Sequence, residues 1–319
     1  MRAGRFHTGI GLALAMLLAL ATATSAGATT WSIQNGQTTA ILVNLVCSTD
    51  TICRAVGDAG AIVGTRDAGN TWNAQASGTT NVLTGIACPT ENVCYAVGHG
   101  GSIHSTQGRD STWTAQESAF DRNLWAISCP DVWSCFAVGD GGAILATTDG
   151  GSHWIPQTSA TTNTLWSIAC PTVLTCVAAG DGGTILSTAD GGTSWISQAS
   201  GGSLPLFAVA CPSVRTCLVA GEGGTIVSTT TAGVDWVKQP TNTLAALYGL
   251  ACADERTCLA VGLSGAIVET HDSGTTWTLP PNATDYTLWS VACPTPAACY
   301  AVGDNGTILR AVVEALQLT

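Results

Sequence analysis

The sequence predicts an all-β fold, a seven-bladed β-propeller of 41-residue repeats, and three regularities lead to it. Seven Cys-x5-Cys pairs begin 41 residues apart, from Cys47 to Cys293. Seven tryptophans keep the same spacing, from Trp31 to Trp277. Each repeat divides into four short β-rich runs separated by turn residues, without helical periodicity. Four antiparallel strands of this length are typical of one propeller blade, and seven blades account for nearly the whole chain.

The first 28 residues are expected to lie outside this fold. Arg2 and Arg5 precede an apolar run from Ile10 to Ala21, and small residues follow at 26–28, which is typical of a secretory signal peptide. The run is too short for a comfortable membrane span, and no other stretch in the sequence is suitable. We therefore expect a secreted, extracytoplasmic protein with a signal peptide at 1–28, a propeller at 29–311 and a C-terminal tail at 312–319.

The charge balance limits the partners. Without residues 1–28, Lys and Arg fall from 10 to 8 against 21 Asp and Glu, which gives a net charge of −13. So acidic a chain is not expected to bind nucleic acid or an anionic membrane surface. A protein or glycan partner is expected instead, and we expect the protein to be a monomer without a cofactor or metal.

The cysteines are expected to form local disulfides, because an exported chain meets an oxidising compartment and the count is even. Zinc sites prefer Cys-x2-4-Cys spacing with a second ligand pair nearby, and redox sites prefer Cys-x-x-Cys. Each bond would staple the hairpin between the first two strands of a blade. The expected pairs are Cys47–Cys53, Cys88–Cys94, Cys129–Cys135, Cys170–Cys176, Cys211–Cys217, Cys252–Cys258 and Cys293–Cys299.

The two ends of the chain predict how the ring closes. The fold begins with a lone outermost strand, residues 30–34, and ends after the third strand of the seventh repeat, residues 307–310. The first strand is therefore expected to complete the last blade, which removes two exposed sheet edges.

Two apolar positions recur in every repeat and are expected to fill the space between blades. A leucine stands five residues before each first cysteine, and an isoleucine follows each Gly-x turn. The leucines are Leu42, Leu83, Leu124, Leu165, Leu206, Leu247 and Leu288, and the isoleucines are Ile62, Ile103, Ile144, Ile185, Ile226, Ile267 and Ile308.

The turn before the tryptophan reads Thr-x-Asp-x-Gly-x-x-Trp in four repeats, which end at Trp72, Trp154, Trp195 and Trp277. The Asp can accept backbone N–H groups of its own turn, and Gly allows a positive φ. This pattern resembles the Asp-box of bacterial neuraminidase (BNR) repeats, a structural turn found in enzymes and non-enzymes. The longer string from Gly139 to Trp154 resembles the propeller family of the photosystem II stability and assembly factor. That resemblance covers essentially the whole mature chain and implies a seven-bladed scaffold that binds proteins without catalysis.

A first candidate site is the turn between the second and third strands, where five of seven repeats place an acid. The variable residues are Asp58, His99, Asp140, Asp181, Glu222, Leu263 and Asp304. One interpretation is turn chemistry, because Asp-Gly favours a type I′ turn. The functional alternative is a ring of carboxylates that attracts a cation or a basic partner.

A second candidate lies four residues before each first cysteine, where five consecutive repeats place an aromatic residue. These are Trp125, Trp166, Phe207, Tyr248 and Trp289, while the first two repeats have Val43 and Thr84. They either fill gaps between blades or form an exposed platform for a sugar or a protein anchor. Loops between blades vary most, which favours specificity there.

No catalytic residues are predicted. A sialidase needs three converging arginines, but only Arg122 falls on the face that carries both candidate sites. Arg54, Arg66, Arg109, Arg215 and Arg256 belong to the Trp turns or cysteine hairpins on the opposite face. A glycoside hydrolase that uses two carboxylates stays open as an alternative. The sequence therefore predicts a non-enzymatic scaffold that binds protein or glycan.

Overall fold

A computed structural model describes residues 29–108 and 112–313 of the chain. The expected signal peptide at 1–28 lies outside these residues, as do Arg109 and most of the expected tail. None of the described segments forms a helix long and apolar enough to cross a membrane.

The described chain forms 27 β-strands, arranged as seven small antiparallel sheets. The inner strands of the seven blades are β2 (Leu42–Cys47), β6 (Leu83–Ala87), β10 (Leu124–Ser128), β14 (Leu165–Ala169), β18 (Leu206–Ala210), β22 (Leu247–Cys252) and β25 (Leu288–Thr295). The second strands are β3 (Cys53–Gly57), β7 (Val93–Gly98), β11 (Cys135–Gly139), β15 (Cys176–Gly180), β19 (Cys217–Gly221), β23 (Cys258–Gly262) and β26 (Ala298–Gly303).

The third strands are β4 (Ile62–Thr65), β8 (Ile103–Gln107), β12 (Ile144–Thr147), β16 (Ile185–Thr188), β20 (Ile226–Thr229), β24 (Ile267–Thr270) and β27 (Ile308–Val313). The outer strands are β1 (Thr29–Gln34), β5 (Asn73–Ala74), β9 (Thr114–Ala115), β13 (Ile155–Gln157), β17 (Ile196–Gln198) and β21 (Val237–Lys238), and all of them except β1 are short. Adjacent inner strands contact one another from β2 through β6, β10, β14, β18, β22 and β25 and back to β2. The predicted seven-bladed propeller is thereby confirmed.

The first strand closes the ring as predicted. β1 pairs antiparallel with β27, with Trp31 opposite Ala311, so that the last blade has the order β1-β27-β26-β25. β27 continues to Val313, two residues beyond the propeller boundary expected from the sequence.

The sixth blade has three strands, because its fourth is reduced to a single bridge between Glu269 and Thr278. In other blades the residue three positions after the tryptophan donates its N–H to the third strand, as Gln75 does to the Ile62 carbonyl at 2.8 Å. Pro280 stands at that position in the sixth blade and has no N–H to donate.

The core lies between the blades. All fourteen of the predicted leucines and isoleucines are at most 2% exposed. Burying each such side chain contributes roughly 1.5–3 kcal/mol. One typical cluster joins Val56 and Ile62 of the first blade to Leu83 and Trp113 of the second. The Trp113 indole also donates to Gln75 Oε1 of the preceding blade at 3.0 Å.

All seven predicted disulfides are formed, one in each blade. Each joins the last residue of the inner strand, or a residue close to that end, to the second strand. The cysteine loops and the Trp turns lie on one face of the ring, where the Gly150 N–H donates to the Trp133 carbonyl at 2.9 Å. The Asp side chain of the Trp turn is hydrogen-bonded as expected: Asp190 accepts from Ser194 and Thr188.

Candidate functional site

The face opposite the disulfides is called here the mouth face, because the central channel opens on it among the aromatic residues. It carries the turns between second and third strands (the 2–3 turns) and the loops between blades. Asp140 of one such turn donates its N–H to the carbonyl of Asn123, which directly precedes the inner strand, at 3.0 Å. The two candidate sites predicted from the sequence therefore lie on the same face.

A β-bulge places each predicted aromatic residue in its position. Pairing between β10 and β11 runs from Leu124–Gly139 directly to Ala126–Val138, which leaves Trp125 as an extra residue on the inner strand. The same skip occurs at the equivalent residue of all seven inner strands. A bulge redirects the side chain of its extra residue, so these side chains leave the regular alternation of the strand.

The glycine opposite the bulge is required by close approach. A Cβ on Gly139 would lie 2.1 Å from the Asn123 carbonyl oxygen and 3.1 Å from the Leu124 Cα. Its φ of −168° is ordinary extended backbone, so the constraint is steric. The bulged inner strand therefore leaves no room for a side chain at this position.

The five aromatic rings form a continuous arc across five blades (the aromatic arc), and each is half-buried. Centroid distances between successive rings, in order from Trp125 through Trp166, Phe207 and Tyr248 to Trp289, are 4.7, 6.3, 5.2 and 4.7 Å. His99 extends the arc at one end, with its ring edge-on to Trp125 at 5.4 Å. The rings thus contact one another across blade boundaries and also face the channel.

Each tryptophan of the arc donates its indole N–H to the acid of the 2–3 turn in its own blade. These bonds join the two predicted candidate sites into one unit. They are Trp125 to Asp140 at 2.6 Å, Trp166 to Asp181 at 2.7 Å, and Trp289 to Asp304 at 2.7 Å.

This pairing was not predicted, although the repeats carry a signal for it. Tryptophan occupies the arc position only in blades whose 2–3 turn begins with Asp. Where the turn begins with Glu222 the arc residue is Phe207, and where it begins with Leu263 the residue is Tyr248. In the blade of Asp58 the arc position holds Val43, which has no group to donate.

The acids are not needed to form their turns. In the third blade, positive φ angles fall on Gly141 (63°) and Gly142 (73°), and Ala143 donates its N–H to the Asp140 carbonyl at 3.3 Å. The central residues of this type I′-like turn are therefore the two that follow the acid. Asp-Gly turn chemistry, the structural interpretation of the sequence, thus does not account for the carboxylate. In three blades the carboxylate accepts the indole N–H of the arc tryptophan instead.

The aromatic arc lines a cavity of about 400 Å³ at the channel mouth, within the roughly 300–1,000 Å³ range of small-molecule sites. Val43, Asn44 and Thr84 line the side that the aromatic residues leave open. No lining residue is charged. The pKa of the Tyr248 phenol is raised, first because the side chain is partly buried and second because the charge of Glu222 lies near.

A second, more open hollow of about 710 Å³ lies beside Phe120 and Arg122 on the loops of the mouth face. The Arg122 guanidinium stacks over the Phe120 ring at 5.3 Å and packs against Gly141. Arg122 is thus on the predicted face but does not line the aromatic cavity. We consider the aromatic cavity the better candidate, because it is more enclosed and its polar groups converge on its rim.

The described residues do not bring an arginine triad together. The buried Arg54 guanidinium contacts Cys94 Sγ at 3.3 Å and the Glu91 carbonyl at 3.2 Å on the disulfide face. The three arc aspartates have equivalent surroundings, whereas a glycosidase needs an acid and a base in different ones. No group of three or more His, Cys, Asp or Glu among the described residues is placed to hold a metal.

Solved structures with a similar fold include other β-propellers. The described fold resembles a structure of YCF48 bound to D1 peptide with a TM-score of 0.75 and 18% identity, covering 89% of this chain and 95% of that one. It resembles YCF48 from Cyanidioschyzon merolae with a TM-score of 0.73, 16% identity, and coverage of 88% and 98%. The WD40 propeller domain of Doa1 gives 0.73 at 11% identity, with coverage of 89% and 96%.

Sequence comparison adds no closer relative: no protein-family model matches, and no curated protein is significantly similar. The structural likenesses confirm, at the level of the fold, the resemblance to the photosystem II assembly-factor propellers that the repeats predicted.

Proposed function

We propose that this protein is an exported, non-enzymatic β-propeller that binds a partner, protein or glycan, through the aromatic arc and the carboxylates of its mouth face. One observation carries the proposal. Five consecutive blades turn an aromatic ring into the channel mouth, and three of the rings are held by carboxylates. Rings fixed in this way lose little side-chain entropy when a ligand stacks on them, which favours affinity.

The proposed binding residues are those of the arc and its rim. Trp125, Trp166, Phe207, Tyr248 and Trp289 supply contact area, and Asp140, Asp181, Glu222, Asp304 and Asp58 supply charge. His99 lies at one end of the arc, and Arg122 marks the neighbouring hollow where a bound partner extends over the loops.

Export is supported by the seven disulfides, which persist in oxidising compartments. It is also supported by the signal-peptide pattern at 1–28. The absence of catalysis is proposed because the arc aspartates share one environment and the described arginines do not converge on the cavity.

A protein partner is favoured by the similar folds. The YCF48 structure holds a D1 peptide, and a WD40 propeller domain shares the fold.

The test is capture from the culture supernatant of the producing organism, together with a glycan array. Both use the wild-type protein, a Trp125→Leu/Trp166→Leu variant and a Trp133→Leu control. Trp133 is 63% exposed on the disulfide face. Its replacement by leucine is therefore the same substitution as in the double variant, made away from the mouth face. We expect ligands that bind the wild type and the control to be lost from the double variant. Equal binding by all three proteins contradicts the proposed site, and hydrolysis of a glycan contradicts the non-enzymatic assignment.

A further inference from the structure

The cavity at the channel mouth has an unusual combination of aromatic walls and an acidic rim. The lining includes five aromatic rings and no lysine, arginine or carboxylate. The carboxylates lie just outside it, on the 2–3 turns, where three of them bond the indoles. A ligand entering the cavity therefore meets π faces surrounded by negative charge.

The mouth face carries a strong excess of negative charge. Among its described residues, the 2–3 turns and the loops between blades carry eight acids against one arginine, Arg122, and His99. The acids are Asp58, Glu117, Asp121, Asp140, Asp181, Glu222, Asp285 and Asp304. A surface with a net negative charge attracts a positively charged ligand and raises its local concentration.

The indole–carboxylate bonds strengthen the attraction for a cation. An aromatic face attracts a cation through its quadrupole, and tryptophan does so best. Donating the N–H to a carboxylate polarises the indole and places a full negative charge near it. The Trp125–Asp140 and Trp166–Asp181 units lie side by side, with ring centroids 4.7 Å apart.

The polar groups of the cavity suit a sugar poorly. The three indole N–H groups, which would otherwise donate to sugar hydroxyls, are already used. Ser167 Oγ accepts from the Val209 N–H at 3.1 Å, and Ser290 Oγ accepts from the Leu45 N–H at 3.2 Å. Thr84 donates to backbone carbonyls. The lining also holds the Asn44 amide and the Tyr248 hydroxyl, fewer groups than the hydroxyls of a sugar ring need, and burying the remaining hydroxyls without partners is costly.

We propose that the aromatic arc is a receptor for an alkylammonium group, presented by a partner protein as a lysine side chain that inserts into the channel mouth. This proposal rests on the proposed function and names the chemistry of its ligand. The methylene stem lies against the rings, and the ammonium meets the π faces and the rim carboxylates. The Val43 and Thr84 side, where the arc is open, leaves room for the stem to enter.

The experiment measures binding of short probes by tryptophan fluorescence and calorimetry at low and physiological salt. The probes are a Gly-Gly-Lys-Gly-Gly peptide, the same peptide with Nε-acetyl-lysine, tetramethylammonium chloride, and chito-oligosaccharide. We expect the lysine peptide to bind at least about tenfold more tightly than its acetylated form, and tetramethylammonium to compete with it. Tenfold corresponds to about 1.4 kcal/mol.

Two variants separate the contribution of the tryptophan ring to binding from that of the carboxylate charge. Trp166→Leu removes the ring and keeps an apolar side chain, and it should abolish lysine-peptide binding, while Trp133→Leu leaves it unchanged. Asp181→Asn keeps an oxygen that accepts the indole N–H but removes the charge. It should weaken binding several-fold and reduce its dependence on salt, with the near-ultraviolet circular dichroism of the tryptophans unchanged.

Other results overturn the proposal in distinguishable ways. Equal binding of the lysine and acetyl-lysine peptides, lost in Trp166→Leu, excludes the ammonium but leaves binding at the mouth face intact. Binding of the oligosaccharide but not of the peptides also excludes the ammonium and keeps binding at the mouth face, with a glycan as the ligand. If no probe binds and the Trp125→Leu/Trp166→Leu variant captures the same partners as the wild type, both this proposal and the proposed function fail.

Discussion

Replacing Gly139 with alanine tests the bulge that positions the arc. The added Cβ would lie 2.1 Å from the carbonyl oxygen of Asn123, a backbone atom that cannot rotate away. The φ of −168° suits alanine, so the entire cost is steric. Overpacking of this kind typically costs about 1–3 kcal/mol. The inner strand must move, and Trp125 moves with it because it is the bulged residue.

The matched control is Gly202→Ala in the loop between the fourth and fifth blades. A Cβ on Gly202 would meet no atom within 4 Å, so we expect a change within about 0.5 kcal/mol. The assay is thermal unfolding followed by circular dichroism, together with the near-ultraviolet signal of the Trp125–Trp166 pair. We expect Gly139→Ala to lower Tm by a few degrees and to alter that signal. A Gly139→Ala protein with the Tm and spectrum of the control would refute the close approach.

Three further predictions concern the framework. Hydrogen bonds from Ser194 and Thr188 lower the pKa of Asp190 from 3.8 to about 2, so the contribution of this carboxylate to stability is present above pH 3.8 and is lost as the pH falls through about 2. The Tm of an Asp190→Asn variant should therefore fall less than that of the wild type over this pH interval, and identical Tm profiles would contradict the prediction. Replacing Cys170 and Cys176 with alanine removes a short disulfide-closed loop and should lower the free energy of unfolding, measured by denaturant titration, by about 2 kcal/mol. Equal free energies of unfolding for this variant and the oxidised wild type would show that the disulfide does not stabilise the fold. Deleting residues 29–34 exposes the edge of β27 and should cause the protein to aggregate, which size-exclusion chromatography detects. A stable monomer would contradict the ring closure.

The framework could be predicted because the same constraint appears seven times in the sequence. Leu124 and Ile144 recur at fixed positions in every repeat, and this recurrence alone identifies them as inter-blade core. The order of the runs at the two ends also sufficed to predict the pairing of β1 with β27. For repeats of four short strands, this repeated constraint is met by packing similar sheets against one another around an axis.

The organisation of the candidate site could be predicted only in part. The sequence placed Trp166 and Asp181 on the same face but not in contact, because their contact depends on a bulge that shifts the register by one residue. The available signal was that tryptophan occurs at the arc position only in repeats with Asp fifteen residues later. The shortened sixth blade also follows from a local departure, Pro280, which lacks the N–H that its counterparts donate.

The central claim is that recognition takes place at the aromatic arc. A crystal structure of the protein with a bound partner or lysine peptide tests it most directly. We predict a lysine side chain in the channel mouth, in contact with Trp125 and Trp166 and within reach of Asp140 and Asp181. A ligand seated instead on the disulfide face around Trp133, with an empty mouth, would contradict the account.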